Sequence, residues 1–132
     1  MLKIENKLFV SWSDVRTTIN ILCKKIITEL PNVDSVIGLE RGGLIPAVMV
    51  SHELNLPYSK VILPNTLVID DICDSGVTLK NTVGVYTAAL YHKPHTSCFT
   101  PNLYSKLHKG NEWLIFPWER NDSEEMQDYL NK

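Results

Sequence analysis

Val68-Ile69-Asp70-Asp71-Ile72-Cys73-Asp74-Ser75-Gly76-Val77-Thr78 is the most informative segment of this chain. An apolar run typical of a buried strand ends in two adjacent carboxylates, and a third carboxylate follows at Asp74. Ser, Gly and Thr come next, where a helix is predicted to begin and where backbone N–H groups can hold an anion. Oxygen acceptors followed by donors suit a ligand with both hydroxyls and a phosphate, such as a phosphorylated ribose.

On both sides of this segment, predicted strands alternate with predicted helices. The predicted strands are residues 8–10, 35–39, 58–63, 66–70 and 85–91, and a two-residue turn at 64–65 separates the third from the fourth. The predicted helices are an amphipathic one capped by Ser11 or Ser13, then 46–54, 76–83 and a last one that begins at Asp122 or Ser123. This order predicts an α/β fold with a mainly parallel central sheet flanked by helices and a small C-terminal hood segment. The polar residues at predicted strand ends, where sites of such sheets lie, are Arg41, Asp70, Asp71, Asp74 and Lys93.

Composition narrows the class of protein. With 132 residues, of which 44% are hydrophobic and 21% charged, the chain is expected to form one domain over residues 1–132. A net charge of −2 argues against nucleic-acid binding, and no apolar run reaches the roughly 18 residues of a membrane span. The N-terminus lacks the pattern of a secretory signal, and the three cysteines have no zinc spacing. We therefore expect a cytoplasmic protein with reduced thiols.

Four segments in order along the chain resemble one family. The segment 68–78 resembles the motif of type I phosphoribosyltransferases that binds 5-phosphoribosyl 1-pyrophosphate (PRPP), and 36–47, Val-Ile-Gly-Leu-Glu-Arg-Gly-Gly-Leu-Ile-Pro-Ala, resembles the family's pyrophosphate loop. Leu-Tyr-His-Lys-Pro at 90–94 and Trp-Leu-Ile-Phe-Pro-Trp-Glu at 113–119 resemble its xanthine–guanine branch, as does Phe-Val-Ser-Trp at 9–12. The resemblance covers nearly the whole chain.

The resemblance implies an enzyme that transfers the phosphoribosyl group of PRPP to a 6-oxopurine, with Mg²⁺ required and pyrophosphate released. Its product is a nucleoside monophosphate, and its relatives are often dimers or tetramers. The resemblance places Asp74 at N7 of the purine, as general base or electrostatic partner, and implies a non-trans Glu40–Arg41 peptide. The resemblance also implies that pyrophosphate is contacted by Arg41, Gly42 and Gly43. It implies that Asp70 and Asp71 contact the ribose hydroxyls and, through water, Mg²⁺. The 5′-phosphate would be bound by Ser75, Gly76, Val77 and Thr78.

Three further residues are implied in base binding. Lys93 would donate to O6, Trp113 would stack on the purine, and the Leu114 backbone would contact the edge of the base. The alternatives are a solvated lysine at a strand end and a tryptophan that only packs in the core. We expect the packing role for Trp118, and we expect Phe116 and Trp118 to be exposed aromatics that could serve a subunit interface.

The chain departs from the family in the length of one loop. Active relatives have a long mobile loop between the strands here predicted at 58–63 and 66–70, and it closes over PRPP and excludes water. A two-residue turn cannot do this. In addition, Glu40 would repel pyrophosphate, and Val77 stands where some relatives have a glycine. The alternatives to a transferase are therefore a non-catalytic module that binds PRPP or a nucleotide, and an enzyme that slowly hydrolyses the glycosidic bond.

Overall fold

The computed structural model describes residues 1–82 and 86–119. Within these ranges the chain forms strands β1 (Leu2–Ile4) and β2 (Lys7–Phe9), helix α1 (Trp12–Glu29), strand β3 (Ser35–Gly38), helix α2 (Leu44–Leu54), strand β4 (Thr66–Cys73), helix α3 (Val77–Lys80), and strands β5 (Tyr86–His92), β6 (Leu103–Leu107) and β7 (Trp113–Ile115). The predicted C-terminal helix lies outside the described residues.

The central sheet has the predicted parallel arrangement. Its strand order is β3-β4-β5-β6, and every neighbouring pair runs parallel. One face of the sheet packs against α1 and α2, and the other packs against α3 and Phe99. This placement brings the carboxyl ends of β4 and β5 together at one edge, where sites of parallel sheets lie. The α/β fold class is confirmed.

Helix α1 follows from its sequence. Ser11 is the N-cap: its hydroxyl accepts from the Asp14 amide at 3.0 Å, and the Asp14 carboxylate accepts from the Ser11 amide at 2.9 Å. Such a capping box stabilises a helix by about 1 kcal/mol. The apolar face buries Val15, Ile19, Leu22 and Ile26 against the sheet, as their spacing predicted.

A second, smaller sheet uses both ends of the described chain. Its order is β1-β2-β7, with β1 antiparallel to β2 and β2 parallel to β7. The C-terminal segment predicted as a hood supplies β7, and the N-terminus supplies the rest of that sheet, because Lys7 to Phe9 pair with Trp113 to Ile115. Strands β1, β6 and β7 were not predicted.

The strand predicted at residues 58–63 is wrong. Only Tyr58 bridges β3, at Val36, and residues 59–65 form an irregular connection to β4. Val61, Ile62 and Leu63 are exposed, so their apolar character does not reflect burial in a sheet. The predicted turn at 64–65 is present.

Strand β4 is longer than predicted and continues to Cys73. Asp70 and Asp71 therefore lie within the strand and not just past its end, while Asp74 and Lys93 directly follow β4 and β5. Phe116 is also corrected, because it is 2% exposed and belongs to the core. Trp118 stacks on Phe116 with ring centroids 5.0 Å apart, which confirms packing as its role.

Candidate active site

Three residues predicted to contact the base come together at the carboxyl ends of β4, β5 and the start of β7. Lys93 Nζ lies 3.6 Å from Asp74 Oδ2 and 5.7 Å from the centroid of the Trp113 ring. Lys93 is 5% exposed, which excludes the alternative of a solvated lysine. A nearby carboxylate and an aromatic face offset the hydration that a buried cation loses, and Lys93 has both neighbours. We call Asp74, Lys93 and Trp113 the base side.

The backbone of Leu114 faces away from its paired strand. The Trp113 amide donates to Asn6 and the Ile115 carbonyl accepts from Val10, so residues 113 and 115 direct their backbone groups to the N-terminal segment. Alternate residues of a strand point these groups to opposite sides. Leu114 therefore turns its N–H and C=O to the other edge of β7, which has no neighbouring strand among the described residues.

The phosphate loop follows β4. Gly76 has φ 79°, in the left-handed region that favours glycine, and a Cβ there would lie 3.0 Å from Phe99. Helix α3 begins at the next residue, and its first amide, that of Val77, donates to the Ser75 hydroxyl at 3.3 Å. That this backbone and the hydroxyls of Ser75 and Thr78 bind a phosphate remains a prediction.

The pyrophosphate loop packs against the end of β4. The Glu40–Arg41 peptide is cis, as the resemblance implied, and Glu40 and Arg41 are exposed. A Cβ on Gly42 would lie 2.2 Å from Asp71 Oδ2, and one on Gly43 would lie 2.2 Å from the Ile69 carbonyl. Gly43 is thus required for the loop to approach β4, while a side chain at position 42 would displace the Asp71 carboxylate or the loop. We call residues 40–43 with the connection 59–65 the pyrophosphate side.

Asp70 and Asp71 form an acidic pair inside β4. The Asp71 carboxyl is half-buried, and its pKa is raised well above the ordinary value by desolvation, by the neighbouring Asp70 charge and by Glu119. The Asp70 carboxylate accepts from the Asp71 amide at 2.9 Å, and the Asp71 carboxylate accepts from the Ile72 amide at 2.8 Å. A cation beside this pair would relieve the repulsion.

The donor set suits a magnesium ion carried by the substrate. Among residues 1–82 and 86–119, no group of three or more His, Cys, Asp and Glu side chains could hold a metal by itself. Mg²⁺ usually binds through one or two carboxylates, waters and the phosphates of the substrate. Asp70 and Asp71 are the two carboxylates that would supply such a site.

Sequence reasoning missed the residues that hold Asp74 in place. The Thr96 hydroxyl donates to Asp74 Oδ1 at 2.6 Å, and the Ser97 hydroxyl donates to the Asp74 and Cys73 carbonyls. These contacts join residues more than twenty positions apart, and no local spacing encodes them. A polar turn just after Lys93 was the only available signal.

None of the helices in the described part of the chain is long and apolar enough to cross a membrane.

The parallel sheet, the phosphate loop and the acidic pair together define a phosphoribosyltransferase-like α/β protein. No family model matches the chain. It is 26% identical to the xanthine-guanine phosphoribosyltransferase of Cereibacter sphaeroides, with 87% of this chain and 88% of that protein covered, and 24% identical to that of Gluconobacter oxydans, with 83% of each covered. The first alignment spans 148 residues, more than the 132 of this chain, so it includes insertions in the relative.

Solved structures agree with the sequence relatives. A purine phosphoribosyltransferase from Pyrococcus horikoshii superposes with a TM-score of 0.74 and 27% identity, over 92% of this chain and 99% of that one. The xanthine-guanine-hypoxanthine phosphoribosyltransferase of Helicobacter pylori has the same fold, with a TM-score of 0.72 and 20% identity over 86% of this chain and 93% of that one. Over most of its length the chain is thus similar to xanthine-guanine and purine phosphoribosyltransferases, in agreement with the resemblance seen in the sequence.

Proposed function

We propose that the protein transfers the 5-phosphoribosyl group of PRPP to a 6-oxopurine such as guanine, xanthine or hypoxanthine, and releases pyrophosphate. The observation that carries this proposal is the base side, where Lys93 lies 3.6 Å from Asp74 and over the Trp113 ring. A module that only bound PRPP would have no use for a buried lysine beside a tryptophan. Relatives named for xanthine and guanine support the same substrates.

Recognition of the base follows from donors and acceptors. The purine stacks on Trp113, and Lys93 Nζ donates to O6, while the backbone of Leu114 contacts the purine edge. Lysine has three donors and no acceptor, so the 6-amino group of adenine, itself a donor, is left unpaired there. A buried donor without a partner costs about 1–3 kcal/mol, or roughly ten- to a hundredfold in preference.

The chemical step needs an acceptor for one proton. The purine tautomer with hydrogen on N7 has a free lone pair on N9, which forms the bond to C1 of the ribose. The bond from C1 to the pyrophosphate oxygen breaks, and its electron pair leaves with pyrophosphate. The N7 proton passes to the Asp74 carboxylate, which places a general base where positive charge develops on the purine.

The phosphate groups are held on the opposite side from the base. Ser75, Gly76, Val77 and Thr78 bind the 5′-phosphate, and Arg41 with the Gly42 and Gly43 backbone binds pyrophosphate. Asp70 and Asp71 accept from the ribose hydroxyls and hold Mg²⁺ through water. When bound, Mg²⁺ neutralises the charge that develops on the departing pyrophosphate.

The remaining proposals concern context. We infer that residues 1–132 act as a single phosphoribosyltransferase-like domain in purine salvage, in the cytoplasm, as a dimer or tetramer and without a nucleic-acid or membrane partner. Gel filtration with light scattering tests the oligomeric state, and a dimer or tetramer is the expected result.

The direct test supplies guanine, PRPP and Mg²⁺ and measures GMP. We expect GMP from the wild type and, for Asp74→Asn, a kcat lower by about a thousandfold, because a general base contributes about 10²–10⁴. Calorimetric affinity for PRPP should be retained in the variant. Binding of PRPP or GMP without turnover by the wild type would instead identify a non-catalytic module, and release of free guanine from GMP without pyrophosphate would identify a hydrolase.

A further inference from the structure

We propose that Thr96 is a positioning residue that holds the Asp74 carboxylate with one particular oxygen toward the purine, a role that rests on the proposed function. The Thr96 hydroxyl lies 2.6 Å from Asp74 Oδ1, while Lys93 Nζ lies 3.6 Å from Oδ2. The two oxygens thus have different partners. Oδ2, on the side of Lys93 and Trp113, is the one that accepts the N7 proton.

The Thr96 hydroxyl has three oxygen atoms within reach and one proton to donate. Asp74 Oδ1 is at 2.6 Å, the Asp74 carbonyl at 3.2 Å and the Lys93 carbonyl at 3.5 Å. Hydrogen bonds to charged acceptors are shorter and stronger than those to neutral ones. The shortest distance is to the charged acceptor, which assigns the proton to the carboxylate.

Residue 96 can act in this way because its backbone is fixed. The Thr96 and Ser97 amides donate to the Lys93 carbonyl at 3.4 and 3.2 Å, and the Cys98 amide donates to the Ser75 carbonyl at 2.9 Å. The Ser97 hydroxyl donates to the carbonyls of the β4 end. One turn, residues 93–98, therefore presents Lys93 and Thr96 together and is attached to the backbone on both sides of Asp74.

The consequence is an oriented base. The terminal torsion of an aspartate is broad and roughly two-fold, so packing alone seldom selects one carboxylate oxygen. Because the Thr96 hydroxyl donates to Asp74 Oδ1, the plane of the carboxylate is fixed before the purine binds. Without that hydroxyl the carboxylate samples other orientations, and a small misplacement of a reacting group lowers kcat more than it lowers substrate affinity.

The test compares Thr96→Val, which keeps the shape and removes the hydroxyl, with Thr96→Ser, which keeps the hydroxyl. We expect Thr96→Val to lower kcat about tenfold with hypoxanthine, and Thr96→Ser to stay within about twofold of wild type. The Kd for PRPP and the Tm should not change in either variant. Thr17→Val is the matched control, because Thr17 is also exposed and its hydroxyl, among the described residues, bonds only to a backbone carbonyl of its own helix.

A double-mutant cycle asks whether Thr96 acts through Asp74. In the Asp74→Asn background, Thr96→Val should have an effect at least fivefold smaller than in the wild type, because the carboxylate it positions is gone. A tenfold effect in both backgrounds, a changed PRPP affinity, or a Thr96→Ser variant as impaired as Thr96→Val would overturn the proposal.

If the wild type forms no nucleotide, the proposed function itself is wrong, and this is visible before any variant is compared. The Thr96 role is then decided by calorimetry with hypoxanthine: weaker binding by Thr96→Val but not by Thr96→Ser supports it. Equal binding by both variants and the wild type contradicts it.

Discussion

On the base side, Lys93 is 5% exposed and is held between the Asp74 carboxylate and the Trp113 ring, and hydrogen bonds attach the next turn to β4. On the pyrophosphate side, Glu40 and Arg41 are exposed, and an irregular connection with three exposed apolar residues leads into β4. The first region is organised before substrate binds. The second has no segment among the described residues long enough to act as a lid.

This difference means that the selectivity for the purine and the turnover rate depend on different regions of the molecule. Purine choice depends on groups that are already buried and paired, so we expect it to be retained. Closure over PRPP excludes water and can add donors to the leaving group, contributions worth several kcal/mol. We therefore expect a selective enzyme with slow turnover.

After the loss of about a thousandfold expected for Asp74→Asn, the largest expected effect is that of Lys93, which also lies on the base side. Lys93→Gln should lower kcat/KM for hypoxanthine by about ten- to a hundredfold, because a neutral amide replaces the charged donor to O6. The ratio of hypoxanthine to adenine activity should shrink, because the glutamine carbonyl can accept from the 6-amino group. Steady-state kinetics with both bases measures this ratio.

The matched control for that variant is Lys25→Gln. Lys25 Nζ donates to the Tyr104 carbonyl at 2.7 Å and lies 5.3 Å from the centroid of the Tyr104 ring, so it is also a lysine over an aromatic ring but lies outside the site. We expect its base preference to equal that of the wild type. An equal loss of hypoxanthine and adenine activity in Lys93→Gln would mean that Lys93 supports only the structure.

The second effect is on the pyrophosphate side. Gly42→Ala places a Cβ 2.2 Å from Asp71 Oδ2, so the carboxylate or the loop must shift. We expect the Kd for PRPP with Mg²⁺ to rise about tenfold, which is a loss of roughly 1.4 kcal/mol of binding free energy, while the selectivity for hypoxanthine stays unchanged. Calorimetry measures the Kd.

Gly110→Ala is the control for Gly42→Ala. A Cβ there would lie 2.0 Å from Glu112 Oε1, at the end of a side chain, so the neighbour can move without disturbing the site. Its PRPP affinity should match the wild type. Loss of purine selectivity in Gly42→Ala would show that the two sides are not independent.

Much of the fold was predictable because it is local or periodic. The apolar spacing of α1, its Ser11 cap and the alternation of strands with helices each follow from a few neighbouring residues. The strand predicted at 58–63 failed because apolar character predicts a strand only where the side chains are buried, and those of Val61 and Leu63 are exposed. Strand β1 was missed because its residues are exposed, and a short edge strand has no burial pattern.

In the candidate site, too, the parts encoded by neighbouring residues were predictable and the parts formed by distant residues were not. Asp74, the phosphate loop and the pyrophosphate loop lie in contiguous motifs, so the sequence predicted their positions. The resemblance implied only that Lys93 and Asp74 both contact the purine. Their ion pair and the Thr96 contact were not predicted, because both depend on how the turn after β5 folds onto β4.

A smaller effect concerns stability at the pyrophosphate side. The Gly38 amide donates to the Tyr58 hydroxyl at 3.0 Å, so this phenol occupies the edge of β3 where a further strand would pair. Tyr58→Phe leaves a buried amide unpaired, and we expect a loss of about 1 kcal/mol and a Tm lower by about 3–5 °C. Tyr86→Phe is the control, since no described hydrogen bond involves its hydroxyl; equal Tm values for the two variants would contradict the role of Tyr58.

The smallest effect concerns pH at the base side. His92 precedes Lys93 and is 3% exposed, and its ring centroid lies 5.2 Å from that of Tyr104. Its Nδ1 has no hydrogen-bond partner among the described residues. Burial lowers the pKa of His92 below its ordinary value of 6.5. As pH falls below that value, His92 binds a proton in the unfolded chain more readily than in the folded chain, so the free energy of unfolding falls.

His92→Phe keeps an aromatic ring beside Tyr104 and removes the titratable group, so the drop in Tm between about pH 7.5 and 5.5 should be smaller than in the wild type. Gly42→Ala is the control and should show the same drop in Tm as the wild type. If His92→Phe also shows the wild-type drop in Tm, this histidine does not make the base side sensitive to acid.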